Sequence, residues 1–230
     1  MQLPVMDGAD LQALWLSLQL AGTTTAILLL ISTPIAWWLA FSGSRWSVLG
    51  ESISALPLML PPSVLGFYLL LLLSPESSVG KLLHSLGLGQ LSFSFGGLVI
   101  GSVIYSLPFV VQPLKQAFLS IGARPLEVAA TLGAGRWDKF FSVVLPLSKR
   151  GYFAAAAMGF AHTLGEFGVV LMIGGNIPGQ TRVASMVIYD HVETQQYAQA
   201  HWLAGTLVLI CFALLWLVYR ANRPQDGEPR

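Results

Sequence analysis

The chain has 230 residues, 54% of them apolar and only 10% charged, with 12 Lys and Arg against 11 Asp and Glu for a formal net charge of +1. Soluble domains average about 25% charged residues, so this composition, with its mean hydropathy of +0.67, excludes an ordinary soluble domain and marks an integral membrane protein. The single cysteine, Cys211 in a late apolar run, excludes an internal disulfide and reads as lipid-facing or packing filler.

A spanning helix needs about 20 mainly apolar residues, and five stretches of the chain supply them. The first covers about 12–42. Asp7 and Asp10 flank it where a signal peptide has Lys or Arg, and the run is too long for an h-region, so it is expected to persist as a helix. The second, about 52–74, contains Pro57, Pro61, Pro62 and Gly66. Prolines inside a membrane run require a broken or kinked helix whose freed carbonyls meet protein or a water-lined path. The third span covers about 92–116, where Gly97 and Gly101 have the G-x-x-x-G spacing of close helix approach.

A charged, Gly-punctuated segment follows at about 122–147. Pro125 suits a helix first turn, where its missing N–H is no loss, and Glu127 in that turn complements the helix dipole. Val128, Ala129 and Leu132 share a side at helical spacing, and Gly133 is placed to cap the helix. Gly135 allows a second turn before Trp137, Phe140, Phe141 and Val144 begin an amphipathic run that Pro146 is expected to stop. Small Ala129 and Ala130 would let another surface approach the backbone. A helix this short, below the roughly 12–15 residues at which isolated helices become marginal, needs a partner or the membrane surface. Composition alone leaves both open, since a basic amphipathic connector also lies well on an inner leaflet.

The fourth span runs over about 151–174 and is interrupted only by Glu166; Ala154 to Ala157, Gly159 and Ala161 give it a small-residue face. An ionisable group inside a span costs on the order of 2.5–3.5 kcal/mol on insertion scales, so Glu166 must face protein or water. It reads either as part of an outer gate or path wall, or as a carboxyl that locks helices together. The stretch 174–200 is too polar to span; Val183 to Val192 reads as a short interfacial helix, either a docking floor or a solvated loop. The fifth span covers about 198–220.

Threading five spans with the N-terminus outside places Arg45, Lys115, Arg124, Arg136, Lys139, Lys149, Arg150, Arg220, Arg223 and Arg230 in the cytoplasm, leaving only Lys81 and Arg182 outside. That is the positive-inside distribution, and the C-terminus then lies inside. Trp38, Trp46, Trp202, Trp216 and Tyr219 fall near span ends, where aromatic belts form.

Glu127, Ala129, Gly133, Val143, Leu145 and Pro146 reproduce the spacing of the coupling loop in the membrane subunits of ABC importers, with Val128 replacing the middle Ala of its Glu-Ala-Ala triplet. Together with the proline-rich Leu56–Gly66 run, the Leu164-Gly165-Glu166-Phe167-Gly168 segment and Gly175-Asn176-Ile177-Pro178-Gly179, the chain resembles the permease subunits of molybdate importers, with sulfate permeases close behind. The resemblance implies an all-α, multi-pass permease of the bacterial cytoplasmic membrane, with a coupling helix between spans three and four. It implies that Glu127, Val128, Ala129, Ala130, Leu132, Gly133 and Ala134 engage a cytoplasmic ATP-binding subunit, and that Pro61, Pro62, Ser63, Glu166 and Asn176 belong to the gate or path. Its implied partners are a second copy of the chain, ATP-binding subunits, an extracytoplasmic oxyanion-binding protein and membrane lipid, with no nucleic acid. The chain has no G-x-x-x-x-G-K-[ST] loop, since Pro75 stands where the glycine leading to Gly80-Lys81 belongs. No cofactor is expected on this chain, ATP and Mg being used by the partner subunit, and no enzymatic activity of its own.

No cluster of Arg or Lys lies within the spans, so no charged oxyanion site is expected there. Thr23, Thr24, Thr25, Ser63, Ser106 and Asn176 offer neutral donors, each equally explained by helix packing or capping. Sulfate, thiosulfate and tungstate are alternative cargoes. A secondary transporter with Glu166 as its proton site is the rival class, which predicts inverted repeats that the two halves do not show.

Overall fold

The computed structural model describes residues 7–87 and 89–222, leaving the basic residues Arg223 and Arg230 outside the described part. The described residues are helical throughout their regular structure, with no strand among them. Among the described residues, three helices are long and apolar enough to cross a membrane: α1 (Gly8–Phe41), α5 (Phe95–Ile121) and α12 (Tyr197–Asn222). Two bent pairs raise the number of candidate spans to five if each counts as one: α2 (Arg45–Met59) with α3 (Pro62–Leu73), and α9 (Lys149–Leu164) with α10 (Gly168–Gly174). Between these lie the short α4 (Ser78–Ser85), α6 (Arg124–Thr131), α7 (Arg136–Lys139), α8 (Leu145–Leu147) and α11 (Ala184–Glu193).

The sequence explains the first break. Leu60 and Pro61 are extended because a residue before proline is driven out of the helical region, and Pro62 then opens α3 at its first turn. The bend there is 110°, so the second expected span is two helices. Packing still carries the pair from one end of the bundle to the other: Glu51 on α2 accepts from Lys115 near the end of α5, while Leu73 at the far end of α3 packs with Leu91 just before α5 begins. The fourth expected span is also two helices, bent by 59° around Gly165, Glu166 and Phe167.

Helices α1, α5 and α9 form the centre. At its basic end, Leu28, Ala36, Val110, Leu114, Phe118 and Ala155 make one buried cluster, to which Val144 is added from the 122–147 segment. Close approach is set by glycine: a Cβ on Gly159 of α9 would sit 2.6 Å from Val110 on α5. Gly97 and Gly101 meet Ile173, so their spacing serves packing of α5 on α10 within the chain. At the opposite end α11 is tied to α1, its Ala184 N–H donating to the buried Ser17 hydroxyl at 2.7 Å. The interfacial helix expected over 183–192 is thus a buried brace on one side. Helix α12 packs on α11 and α9 and exposes most of its apolar surface, including Val208, Leu209, Phe212 and Trp216.

Pro146 does not stop the run before it. A five-residue π-turn, Phe140–Val144, precedes α8, with the Leu145 N–H reaching back to Phe140 O, and the chain continues helically into α9. The wider turn shifts the hydrogen-bond register just where Pro146 lacks an N–H, so the proline is absorbed at the start of a new short helix.

Candidate coupling surface and path cavity

Helix α6 is built as its residues require. Pro125 lies in the first turn with Glu127, and the helix ends in a Schellman arrangement: the Gly133 N–H donates to Ala130 O at 3.0 Å and the Ala134 N–H to Ala129 O at 3.0 Å. Gly133 has φ +82°, a left-handed conformation that favours glycine. The faces are sorted differently from a simple docking stripe. Ala129 is turned inward and buried, whereas Val128 and Leu132 are 55% and 83% exposed. Beyond the cap, Trp137 and Phe141 are also exposed, with their rings stacked at 6.2 Å. Glu127 and Ala130 border a shallow hollow shared with Ala40, Leu126 and Lys139. The segment is held to the bundle from beneath: Phe140 meets Trp37 of α1 edge-on at 5.3 Å, and Leu126 packs on the same cluster. A push on the exposed face therefore reaches α1, α5 and α9 through close-packed rings.

A second constellation lies at the α9–α10 break. Pro62, Ser63, Tyr105, His162 and Glu166 line one cavity of about 610 Å³. Gly168 lets α10 begin directly against Pro62, for a Cβ there would lie 2.7 Å from the proline ring. Glu166 is 4% exposed, and neither carboxyl oxygen has a hydrogen-bond partner among the described residues. Its backbone carbonyl accepts from Ser185 of α11 at 2.6 Å. His162 stacks on Phe109 at 3.7 Å between ring centroids, and its Nδ1 is 2.9 Å from the Ser106 hydroxyl, itself 3.0 Å from Thr163 Oγ1.

The structure thus brings Pro62, Ser63 and Glu166 together, with Pro61 immediately outside as the cap of α3. Asn176 is elsewhere. Left-handed at φ 57°, it donates to both Asp190 oxygens at 3.0 and 3.3 Å and accepts from Arg182 Nε at 3.0 Å, clamping the loop before α11. Beside it, buried Asp10 meets His191 Nε2 at 2.8 Å. Sequence reasoning missed His162, Tyr105 and the Asp10–His191 pair. His162 was within reach, standing four residues before Glu166 in an apolar run. The Asp10–His191 pair joins residues 181 positions apart, which no local pattern reveals.

A bundle broken twice by design, with an exposed capped helix at its basic end, has known counterparts. The family described as the binding-protein-dependent transport system inner membrane component matches residues 32–223. The chain belongs to that family. Within this family of transport components, the chain is 58% identical over 95% of its length to the molybdenum transport system permease protein ModB of Azotobacter vinelandii, covering 96% of that protein. It is 32% identical to ModB of Escherichia coli over 97% of this chain and 100% of that one, and 33% identical to the sulfate transport system permease protein CysT of Synechococcus elongatus over 80% and 66%. In fold it resembles a bacterial ABC transporter involved in the import of alginate, with a TM-score of 0.74 at 18% identity over 95% of this chain and 82% of that one. The MetNI methionine ABC transporter gives 0.72 at 14% identity over 92% and 93%.

Proposed function

We propose that this chain is the membrane-embedded permease subunit of an ATP-driven importer of molybdate in the bacterial cytoplasmic membrane. The observation that carries the reading is the 58% identity to the Azotobacter molybdenum permease across 95% of the chain, since likeness at that level spans the bundle, the break at Glu166 and the coupling segment together. Five crossings with the N-terminus outside account for the clustering of basic residues at the end that bears α6 and for the end-to-end course of both bent pairs. In this topology the exposed Glu127, Val128, Ala130, Leu132 and Gly133 face the cytoplasm, where they dock an ATP-binding subunit; Ala129 and Ala134 shape the cap beneath them.

ATP and Mg act on that separate subunit, and this chain converts its closure into rearrangement of the spans. A second copy completes the path. An extracytoplasmic oxyanion-binding protein delivers the cargo to the end bearing α11, a role supported by the alginate transporter, whose structure is also known in complex with a periplasmic protein. The cavity bordered by Pro62, Ser63 and Glu166 forms part of the path or its gate, with Pro61 shaping its entrance and Asn176 holding the outer loop rigid. The sulfate permease relative is less identical and matches over less of the chain, so sulfate, thiosulfate and tungstate stand behind molybdate. The secondary-transporter reading draws no support from the family. Competition against labelled molybdate uptake by molybdate, tungstate, sulfate and thiosulfate tests the cargo. Molybdate should compete best, and preferential inhibition by sulfate would overturn the assignment.

A further inference from the structure

We propose, resting on the path reading of this cavity, that the α9–α10 break binds a monovalent inorganic cation held by Glu166 and neighbouring oxygens. Glu166 is buried with both oxygens unpartnered, and no Lys, Arg or His forms an ion pair with it among the described residues. Beside it on α5, the Ser102 hydroxyl is 0% exposed and has no further partner among the described residues. A buried carboxyl with one neighbouring hydroxyl is left short of partners, and an ion held between the two groups satisfies both.

Oxygen atoms are the nearest polar groups, while helix ends of both signs meet at the break: α3 and α10 begin there and α9 ends there. Tyr105 lies three residues after Ser102 on the same face of α5, and Ser63 lies in the first turn of α3; both residues line the cavity. Helix α9, 16 residues long, points its negative C-terminal end at the break. There the Glu166 N–H donates to Thr163 O and the Gly165 N–H to Ala161 O, so the carbonyls of His162 and Leu164 accept nothing across the break among the described residues. A carboxylate, hydroxyls and free carbonyls form a hard oxygen set of the kind that coordinates alkali cations at the C-terminal ends of broken membrane helices.

Charge selects a monovalent ion. Glu166 supplies one negative charge, so a divalent ion would leave a net charge inside the bilayer. The ion also fits the cargo, because a bare carboxylate in the wall would repel an entering dianion and a neutralised one would not.

The test uses the permease with its ATP-binding subunit, purified together. Thermal stability is titrated with NaCl, KCl and LiCl at constant ionic strength and pH, with N-methyl-D-glucamine chloride as the balancing salt. A saturable rise in Tm with one alkali cation is expected, lost in Glu166→Gln and weakened in Ser102→Ala. In proteoliposomes the same cation should raise molybdate uptake in the wild type and not in Glu166→Gln. Equal Tm in all salts, or a Glu166→Gln complex that responds like the wild type, overturns the site. Should Glu166→Gln not fold, Ser102→Ala and Tyr105→Phe remove an oxygen without altering charge, and unchanged cation affinity in both overturns it equally. A Glu166-dependent cation effect in a complex that imports no molybdate would leave the site standing and remove the transport reading instead.

Discussion

Leu132 offers the sharpest quantitative test of the coupling surface. It is the last residue before the Gly133 cap and is 83% exposed, an aliphatic side chain standing in water unless something covers it. Leu132→Ala removes three carbons at about 0.8 kcal/mol per buried carbon, and discounting for the fraction already covered leaves about 2 kcal/mol. If the ATP-binding subunit buries this side chain, its dissociation constant from the permease should rise about thirtyfold, since about 1.4 kcal/mol is a factor of ten. The bundle itself should be unaffected because Leu132 belongs to none of its buried clusters. The assay is titration of the purified ATP-binding subunit onto permease in nanodiscs, with Tm of the permease alone as the control. An unchanged dissociation constant, with the ATP-binding subunit bound normally, would refute docking at this face.

Glu127→Ala should abolish coupled uptake while leaving membrane insertion and dimerisation intact, checked by transport beside crosslinking; normal transport would remove Glu127 from the interface. Gly159→Ala places a methyl 2.6 Å from Val110 Cγ2 and should cost about 1–3 kcal/mol, read as a lower Tm in detergent. Glu51→Gln leaves Lys115, whose side chain is 13% exposed and 2.5 Å from the Glu51 carboxylate, without its charged partner. A loss of about 1–2 kcal/mol should follow, and an unchanged Tm would show that α2 is not held there. Asn176→Ala frees both Asp190 and Arg182 and should loosen the outer loop, detected as faster amide exchange across 176–190 with exchange in α5 unchanged.

The long helices were legible because hydrophobic length is a property of the sequence alone, and α1, α5 and α12 follow it closely. The prolines of the second span announced a break, but its 110° angle comes from where α3 packs on α10, through Gly66 against Met172 and Gly168 against Pro62. The fourth span gave less warning, because Gly165-Glu166-Phe167-Gly168 has no proline, and the Glu166 carbonyl at its break is bonded by Ser185 of α11. In the coupling segment the Gly133 cap was readable from local chemistry, while the inward turn of Ala129 and the π-turn before Pro146 were not, since both depend on the cluster around Trp37, Phe118 and Phe140. The cavity at the α9–α10 break was half legible: Pro62, Ser63 and Glu166 stood out as anomalies in apolar runs, whereas Ser102 and Tyr105 look like ordinary residues of an apolar helix until the fold sets them beside the carboxyl.

Reconstitution of the permease with its ATP-binding subunit in proteoliposomes, with the oxyanion-binding protein added outside, tests the central claim most directly. Labelled molybdate should accumulate only when ATP is hydrolysed within and the binding protein is present without. Accumulation that persists when hydrolysis is blocked would contradict an ATP-driven importer.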